Sequence, residues 1–376
     1  MAREQKLYDV NAHPKTLIIG VQAPYNKTPD IQSYFEEFEN LVKSNGVIYD
    51  REIFIKLREI DNTYFFTMGK LKEIRELCDQ EEIEEIIISE PLTGQQERNL
   101  KEFLHCRIFD RTFLILEIFE KGAHSAEGKL QIQIAMLQHK KARLAGRGIY
   151  LSQQGARIGT TGPGETQKEI DARHIETSIL KLKRQLVRLK QARETQRKQR
   201  LASQIPLFCL IGYTNAGKSS ILNALTKSNV LAENKLFATL DTTTRELYID
   251  GKKKGLISDT VGFIQQLPHH LIEAFKSTLS ELNYADLLIQ VIDISDPNWE
   301  AHIAVVRHIL DELSINKEMV YVFNKADKVD MIHFLKPAME KYEPFVITST
   351  KTKEGIAPLI EFLQQWQKPF KKINPA

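Results

Sequence analysis

The chain has 376 residues, 42 % of them hydrophobic and 27 % charged, with a formal net charge of +3; this length accommodates two or three domains, and the balance is that of an ordinary globular protein. No apolar run approaches the roughly 18 residues that a membrane-spanning helix needs, and the opening Met1-Ala2-Arg3-Glu4-Gln5-Lys6 is polar and leads into no signal-peptide core, so no membrane span and a cytoplasmic location are expected. Three cysteines, Cys78, Cys106 and Cys209, lie far apart without CxxC or metal-ligand spacing, which argues against a disulfide framework or a zinc site and leaves them as small buried apolar residues.

Thr16-Leu17-Ile18-Ile19-Gly20-Val21 reads as a buried strand, and apolar residues recur at helical spacing over 31–42, at Tyr34, Phe35, Phe38, Leu41 and Val42. Residues 47–55, 85–89 and 106–109 are further strand candidates, separated by helical patterns over 70–78 and 97–103. Alternation of this kind predicts a small α/β domain over 1–112 with a mostly parallel sheet. Met68-Gly69-Lys70 near a helix start lacks the full spacing of a phosphate-binding loop and reads as a helix-initiating turn.

Beyond Asp110 the character changes. Leu130, Ile134, Leu137 and Leu144 fall at seam-like spacing, and Ile175, Ile179, Leu182, Leu186 and Leu189 repeat in steps of four and three. Two such helices predict an antiparallel hairpin over 113–200, its outer faces left to Lys140, Arg143, Lys183, Arg184, Arg188, Lys190 and Arg193. Residues 129–200 hold 17 Lys or Arg against 5 Asp or Glu, an excess of +12 in a chain whose net charge is +3. Charge so nearly of one sign costs stability through self-repulsion unless a polyanion offsets it, and RNA is the polyanion that a rigid helix pair suits. Between the helices, 146–167 is glycine-rich, with Gly146, Gly148, Gly155, Gly159, Gly162, Gly164, Arg147 and Arg157. A loop of that length is usually functional or disordered, and a flexible tip can order on RNA.

Residues 201–368 carry the clearest chemistry. Gly212-Tyr213-Thr214-Asn215-Ala216-Gly217-Lys218-Ser219, followed by Ser220, reads as a P-loop, since an apolar strand candidate (207–211) precedes it and Ile221, Leu222 and Leu225 continue at helical spacing. Such a loop turns backbone N–H groups and a helix N-terminus toward phosphates, with Lys218 placed to neutralise the β- and γ-phosphates and Ser219 to hold Mg2+. Thr239-Leu240-Asp241-Thr242-Thr243-Thr244-Arg245 stands in the place of switch I, where a threonine completes the Mg2+ shell. Leu256-Ile257-Ser258-Asp259-Thr260-Val261-Gly262 reads as a strand ending in Asp259, which can steady Mg2+, followed by Gly262, whose backbone can approach the γ-phosphate. Asn324-Lys325-Ala326-Asp327 follows an apolar strand, and a carboxylate there accepts from two guanine donors that adenine lacks, so the expected nucleotides are GTP and GDP. Ser349 and Thr350 follow a last strand candidate, with the Ser349 N–H expected at the guanine O6.

With these motifs the chain resembles the HflX family of translational GTPases over nearly its whole length. Phe237-Ala238-Thr239-Leu240-Asp241 and Asp259-Thr260-Val261-Gly262-Phe263-Ile264 carry the resemblance in the nucleotide-binding domain. Asp110-Arg111-Thr112, Glu127-Gly128-Lys129-Leu130-Gln131 and Gly162-Pro163-Gly164-Glu165-Thr166-Gln167 carry it outside. The resemblance implies an α/β protein: a P-loop GTPase domain with a mostly parallel sheet, preceded by a small α/β domain and a basic helical hairpin. It further implies docking on the large ribosomal subunit and its rRNA, splitting or rescue of stalled intact ribosomes, a link to stress, and an approach of the glycine-rich tip to the peptidyl-transferase region; a monomer is expected. Two departures stand out. Thr242 replaces the family's usual Pro, and alignment then selects Thr243 as the Mg2+ ligand. Only a short tail, 369–376, follows the last predicted helix (356–367), where some members have a further domain. Phe263 takes the place where many GTPases carry a water-orienting Gln, so Lys218, Thr243 and Gly262 form the expected catalytic set and turnover without a partner should be slow. A ribosome-assembly GTPase acting on large-subunit precursors, and an ATP-driven RNA-remodelling enzyme using the first domain, are the alternative readings.

Overall fold

A computed structural model describes residues 13–26, 30–144, 167–202, 205–226, 236–237, 239–240, 242–265 and 279–368, with backbone alone over 167–168 and 190–202 and at 280. The expected glycine-rich tip, with Arg147 and Arg157, and the tail 369–376 lie outside these residues. Contacts divide the chain into two units, Met1–Ile118 with Leu137–Thr177, and Phe119–Met136 with Ser178–Ala376. The segment expected as a separate hairpin domain, 113–200, thus contributes to both.

The first unit runs β1 (Thr16–Gln22), α1 (Ile31–Ser44), β2 (Arg51–Lys56), α2 (Met68–Glu81), β3 (Glu85–Ile88), α3 (Gly94–Leu104), β4 (Arg107–Asp110) and the start of α4 (Arg111–Gly122). The strands form a parallel sheet in the order β2-β1-β3-β4, as alternation of strand and helix requires. Local chemistry sets the helix starts. Asp30 caps α1 by accepting from the N–H of Gln32 at 2.9 Å, and Thr93 with Gln96 closes a capping box on α3. α2 starts at the Met68-Gly69-Lys70 turn, whose Lys70 pairs with Glu73 at 2.7 Å. β2 is shorter than the expected 47–55, because Asp50 takes the Thr16 N–H on its side chain at 2.8 Å before the ladder begins.

α5 (Ala126–Leu144) and α6 (Gln167–Ala202) are the expected basic helices. On α6 the apolar seam is buried at Ile175 and Ile179 but only part-covered at Leu182, Leu186 and Leu189, while Lys181, Lys183, Arg184 and Arg188 are exposed. Within the first unit, Lys141 of α5 pairs with Glu176 of α6.

The second unit contains β5 (Leu207–Gly212), α7 (Lys218–Thr226), β6 (Thr243–Ile249), β7 (Lys252–Asp259), β8 (Leu287–Asp293), α8 (Trp299–Glu312), β9 (Met319–Asn324), β10 (Phe345–Ile347) and α9 (Lys353–Gln365). Its sheet has the order β10-β9-β8-β5-β7-β6, parallel except for β6 against β7. One core joins β5, β7, β8 and β9 to α7 and α9 through Phe208, Leu210, Ile221, Leu222, Ile257, Ile289, Val322 and Leu359. After β5 the chain turns to β7 on one side and later to β8 on the other, so the carboxyl end of β5 is a topological switch point, the place where open parallel sheets bind ligands.

Asp110 shows why the family-like Asp110-Arg111-Thr112 matters to the first unit. Its buried carboxylate caps α4 by accepting from the Phe113 N–H at 2.8 Å, takes the Leu92 N–H at 3.0 Å and pairs with Arg143 at 3.0 Å. Asp110→Ala should therefore destabilise this unit by about 1–3 kcal/mol, from a lost cap and a part-buried Arg143 left with Glu97 as its carboxylate partner. Urea unfolding followed by amide exchange over 13–118 checks this; a loss below about 1 kcal/mol would contradict the assignment.

Candidate nucleotide-binding site

The P-loop leaves β5 at Gly212, whose φ is +147°, and a Cβ there would lie 2.2 Å from the Val291 carbonyl oxygen of the neighbouring strand. Gly217 has φ +96°, and a Cβ there would lie 2.3 Å from Nδ2 of Asn324. Both positions exclude a side chain for reasons of backbone conformation and of close approach. Asn215, also at positive φ (60°), is exposed at the turn of the loop, and Ser219 and Ser220 begin the helix that follows.

Lys218 is buried, and its Nζ donates to the carbonyls of Tyr213 at 2.8 Å and Gly212 at 3.2 Å. Burial lowers its pKa to about 8, against the pull of Asp259 and with the push of Lys325. Asp259, at the carboxyl end of β7, is also fully buried, and burial pushes its carboxyl up against the attraction of Lys218 and the hydrogen bonds from Ser219 and Thr239. Ser219 Oγ donates to Asp259 Oδ2 at 2.6 Å, Thr239 Oγ1 donates to the same oxygen at 3.0 Å, and the two hydroxyls are 2.8 Å apart. Asp259 Oδ1 is buried without a hydrogen-bond partner among the described residues. Two hydroxyl oxygens beside one carboxylate with an unspent lone pair fit the ligand set of Mg2+. Thr243, the expected threonine, is instead the first residue of β6, in register opposite Asp259. Thr239 is the threonine whose hydroxyl reaches the carboxylate in this conformation.

The strand leaving Asp259 is tied back to the P-loop. The Thr214 N–H donates to the Phe263 carbonyl at 2.7 Å and the Phe263 N–H to the Gly212 carbonyl at 3.1 Å, forming a parallel bridge between Tyr213 and Phe263. Gly262 lies against Thr214 and the Lys218 ammonium, and the Phe263 ring is buried. The Thr214 hydroxyl is buried without a hydrogen-bond partner among the described residues. Tyr213 accepts the Gln265 N–H on its hydroxyl at 2.8 Å and stacks its ring on His302 of α8 at 3.8 Å. Composition and spacing carried no sign of this last contact.

On the other side of β5, Asn324 donates from Nδ2 to the Ala216 carbonyl at 2.9 Å, joining the end of β9 to the P-loop. Lys325, at φ +61°, pairs with Asp293 of β8 at 2.7 Å. Asp293 ends an apolar strand, the same signal that marks Asp259, so its presence was readable from the sequence. Asp327 pairs with Lys351 at 2.7 Å and accepts from the Ser349 hydroxyl at 2.6 Å, which hold its carboxyl below the ordinary range. The Ser349 N–H, expected at a guanine oxygen, donates to the Gly355 carbonyl at 2.9 Å, because the loop must close onto the start of α9. Ser349 thus reaches Asp327 through its hydroxyl, and Thr350 follows it in the same loop.

The expected P-loop, Asp259 and Asn324 residues therefore gather at one end of the parallel sheet, with Asp327 and Ser349 beyond Asn324. Residues 32–120 match the GTP-binding GTPase N-terminal family, 122–200 the GTP-binding GTPase middle region, and 207–325 the 50S ribosome-binding GTPase family. The chain is 42 % identical over 348 residues to GTPase HflX of Lacrimispora saccharolytica, covering 92 % of this chain and 82 % of that one. It is 40 % identical over 339 residues to GTPase HflX of Caldanaerobacter subterraneus (90 % and 78 % covered) and 38 % identical over 335 residues to GTPase HflX of Escherichia coli (88 % and 78 % covered). In fold it resembles the crystal structure of SsGBP in complex with GDP, with a TM-score of 0.51 at 24 % identity over 93 % of this chain and 98 % of that one. Aligned along most of their length with relatives of one kind, and carrying a P-loop at the switch point of a parallel sheet, these residues make the chain a member of the HflX family of GTPases, which hydrolyses GTP.

Proposed function

We propose that the chain is a GTP-driven ribosome factor that docks on the large ribosomal subunit through its basic helices and splits or rescues stalled ribosomes, under stress conditions in the cytoplasm. The observation that carries the partner is the strong positive excess of 129–200, with Lys181, Lys183, Arg184 and Arg188 exposed along α6. It agrees with the match of 207–325 to a family described as ribosome-binding. An antiparallel pairing of α5 with α6 would present these cations as one arm to rRNA phosphates.

In the nucleotide site, the backbone N–H groups of 212–219 cradle phosphates and Lys218 turns from its own carbonyls to the β- and γ-phosphates. Mg2+, when bound, neutralises charge on those phosphates and would be held by Ser219, Asp259 and a switch I threonine, Thr239 or Thr243. Asn324 sets the P-loop against the guanine-reading loop, and Asp327 accepts from the base. Phe263 offers no hydrogen bond to an attacking water, so hydrolysis waits for a partner to complete the site.

Three outcomes test this. Large ribosomal subunits should raise GTP turnover by about tenfold or more, with binding that weakens steeply as salt rises; equal rates with and without subunits, or binding to immature particles alone, would overturn the proposal. Thr239→Val and Thr243→Val separate the two candidate ligands, since only the ligand's loss should raise the Mg2+ concentration needed for half-maximal turnover, by roughly tenfold or more. Lys218 gives the third. A lysine at about 8 in the fold and 10.5 unfolded binds its proton more tightly in the unfolded chain, which costs the nucleotide-free protein about 2–4 kcal/mol below pH 8. That cost fades between pH 8 and 10.5, so nucleotide-free stability should rise through this window. Lys218→Met should raise the nucleotide-free melting temperature, flatten that rise and abolish stabilisation by GDP; a lower melting temperature would show that Lys218 stabilises the empty loop.

A further inference from the structure

The last turn of α4 is the seat of the switch I segment. Phe119, fully buried, packs its ring on that of Phe237, with centroids 4.6 Å apart. Gly122 ends the helix against Leu240, and a Cβ at Gly122 would lie 2.5 Å from Leu240 Cδ1. Phe237 itself has φ +59°, a conformation that a bulky side chain keeps only where its surroundings impose it. All four residues belong to the second unit. Phe237 and Leu240 flank Thr239, whose hydroxyl lies 2.8 Å from Ser219 Oγ and donates to Asp259 Oδ2 at 3.0 Å. Both apolar side chains are buried whereas Thr239 is half-buried, so they anchor the segment and leave its hydroxyl at the site. Phe119 and Gly122 stand well before Gly212 in the chain, and no motif of the nucleotide site includes them.

We propose that Phe119 and Gly122 are positioning residues for GTP hydrolysis: they form a socket in which Phe237 and Leu240 seat, and this seating holds the Thr239 hydroxyl over Asp259. The inference rests on the reading of Thr239 as a Mg2+ ligand and assigns the part of the chain that places it. Gly122 is required because the space of its missing side chain is taken by Leu240. Phe119 supplies the ring that traps Phe237 in its left-handed turn. Without these anchors the threonine must be ordered each time the ion binds, and that entropy weakens the ion's hold. Lys218, Asn324 and Asp327 are held by other partners. Unseating Phe237 should therefore loosen Mg2+ and leave nucleotide binding without the ion almost unchanged.

The test follows retention of a fluorescent, non-hydrolysable GTP analogue by the full chain across a Mg2+ titration and in EDTA, beside GTP turnover. Phe119→Ala should raise the Mg2+ concentration for half-maximal retention and turnover by roughly tenfold, while affinity in EDTA changes by less than about twofold. Phe119→Leu, which keeps an apolar side chain in the socket, should recover most of the loss. Gly122→Val, which fills the socket without opening a cavity, should reproduce the effect and decides the matter if Phe119→Ala fails to fold. Thr239→Val is the reference, and Phe119→Ala combined with it should hold Mg2+ no more weakly than Thr239→Val alone. A shift in Thr239→Val with none in Phe119→Ala and Gly122→Val overturns the positioning role alone. No shift in any of the three overturns Thr239 as the ligand, and the proposal with it. A Phe119→Ala protein that loosens the analogue equally in EDTA and in Mg2+ has lost structure rather than positioning, which also overturns the proposal.

Discussion

The buried ammonium of Lys218 is the constraint around which the second unit is arranged. It is held by the carbonyls of Gly212 and Tyr213, and Gly212 can offer its oxygen only because its φ of +147° turns the loop back against β8. The same Gly212 oxygen also accepts from the Phe263 N–H, so the lysine and the segment after Asp259 meet on one atom. The nearest anion, Asp259, is itself desolvated, and its pull on Lys218 does not outweigh burial. Two opposite charges buried without a full ion pair form a costly arrangement, of the kind that an added anion relieves. In the proposed site the polyphosphate is that anion, and a loop strained by its own lysine is thereby prepared to bind it.

The parallel bridge between Tyr213 and Phe263 carries this constraint outward. It sets Gly262 against Lys218, and the Tyr213 hydroxyl holds the Gln265 N–H while its ring rests on His302 of α8. Movement of the segment after Gly262 must therefore break backbone bonds to the P-loop or shift Tyr213 against α8. On the opposite side, Asn324 locks β9 to Ala216, and Asp293 holds Lys325 in its left-handed conformation. The segments after β7 and β9 are thus both hydrogen-bonded to residues 212–217, which gives a physical reason for the P-loop to register changes at either end.

Much of this was legible in the sequence, and the exceptions have particular causes. β1, β5 and β9 are buried parallel strands that read as continuous apolar runs, and α1 shows its inward face at Tyr34, Phe35, Phe38, Leu41 and Val42. α4 gave no such signal, because Leu114, Ile115, Leu116, Ile118 and Phe119 are all buried, and a helix apolar nearly all round has no periodic face. β6 hides inside a threonine-rich motif that reads as a loop, so the sequence does not show that Thr243 opens a strand while the Thr239 hydroxyl reaches Asp259. The packing of Phe119 on Phe237 and the stacking of Tyr213 on His302 depend on which helix covers which strand or loop. Spacing along a chain does not encode that.

The Asp327 end of the proposed site follows a different logic from its P-loop end. Both oxygens of Asp327 are engaged in this conformation, one by Lys351 and the other by Ser349, and the Lys351 side chain is well exposed. An exposed ion pair of this kind contributes at most about 1 kcal/mol, so in the proposed site guanine exchanges one set of donors for another at little net cost. Adenine would displace the same partners without replacing their donors and would leave the carboxylate unsatisfied beneath the base. Discrimination would then come from the penalty on the wrong base, while affinity for the right one rests on the phosphates and Lys218. A site divided in this way would select guanine strongly and still release it.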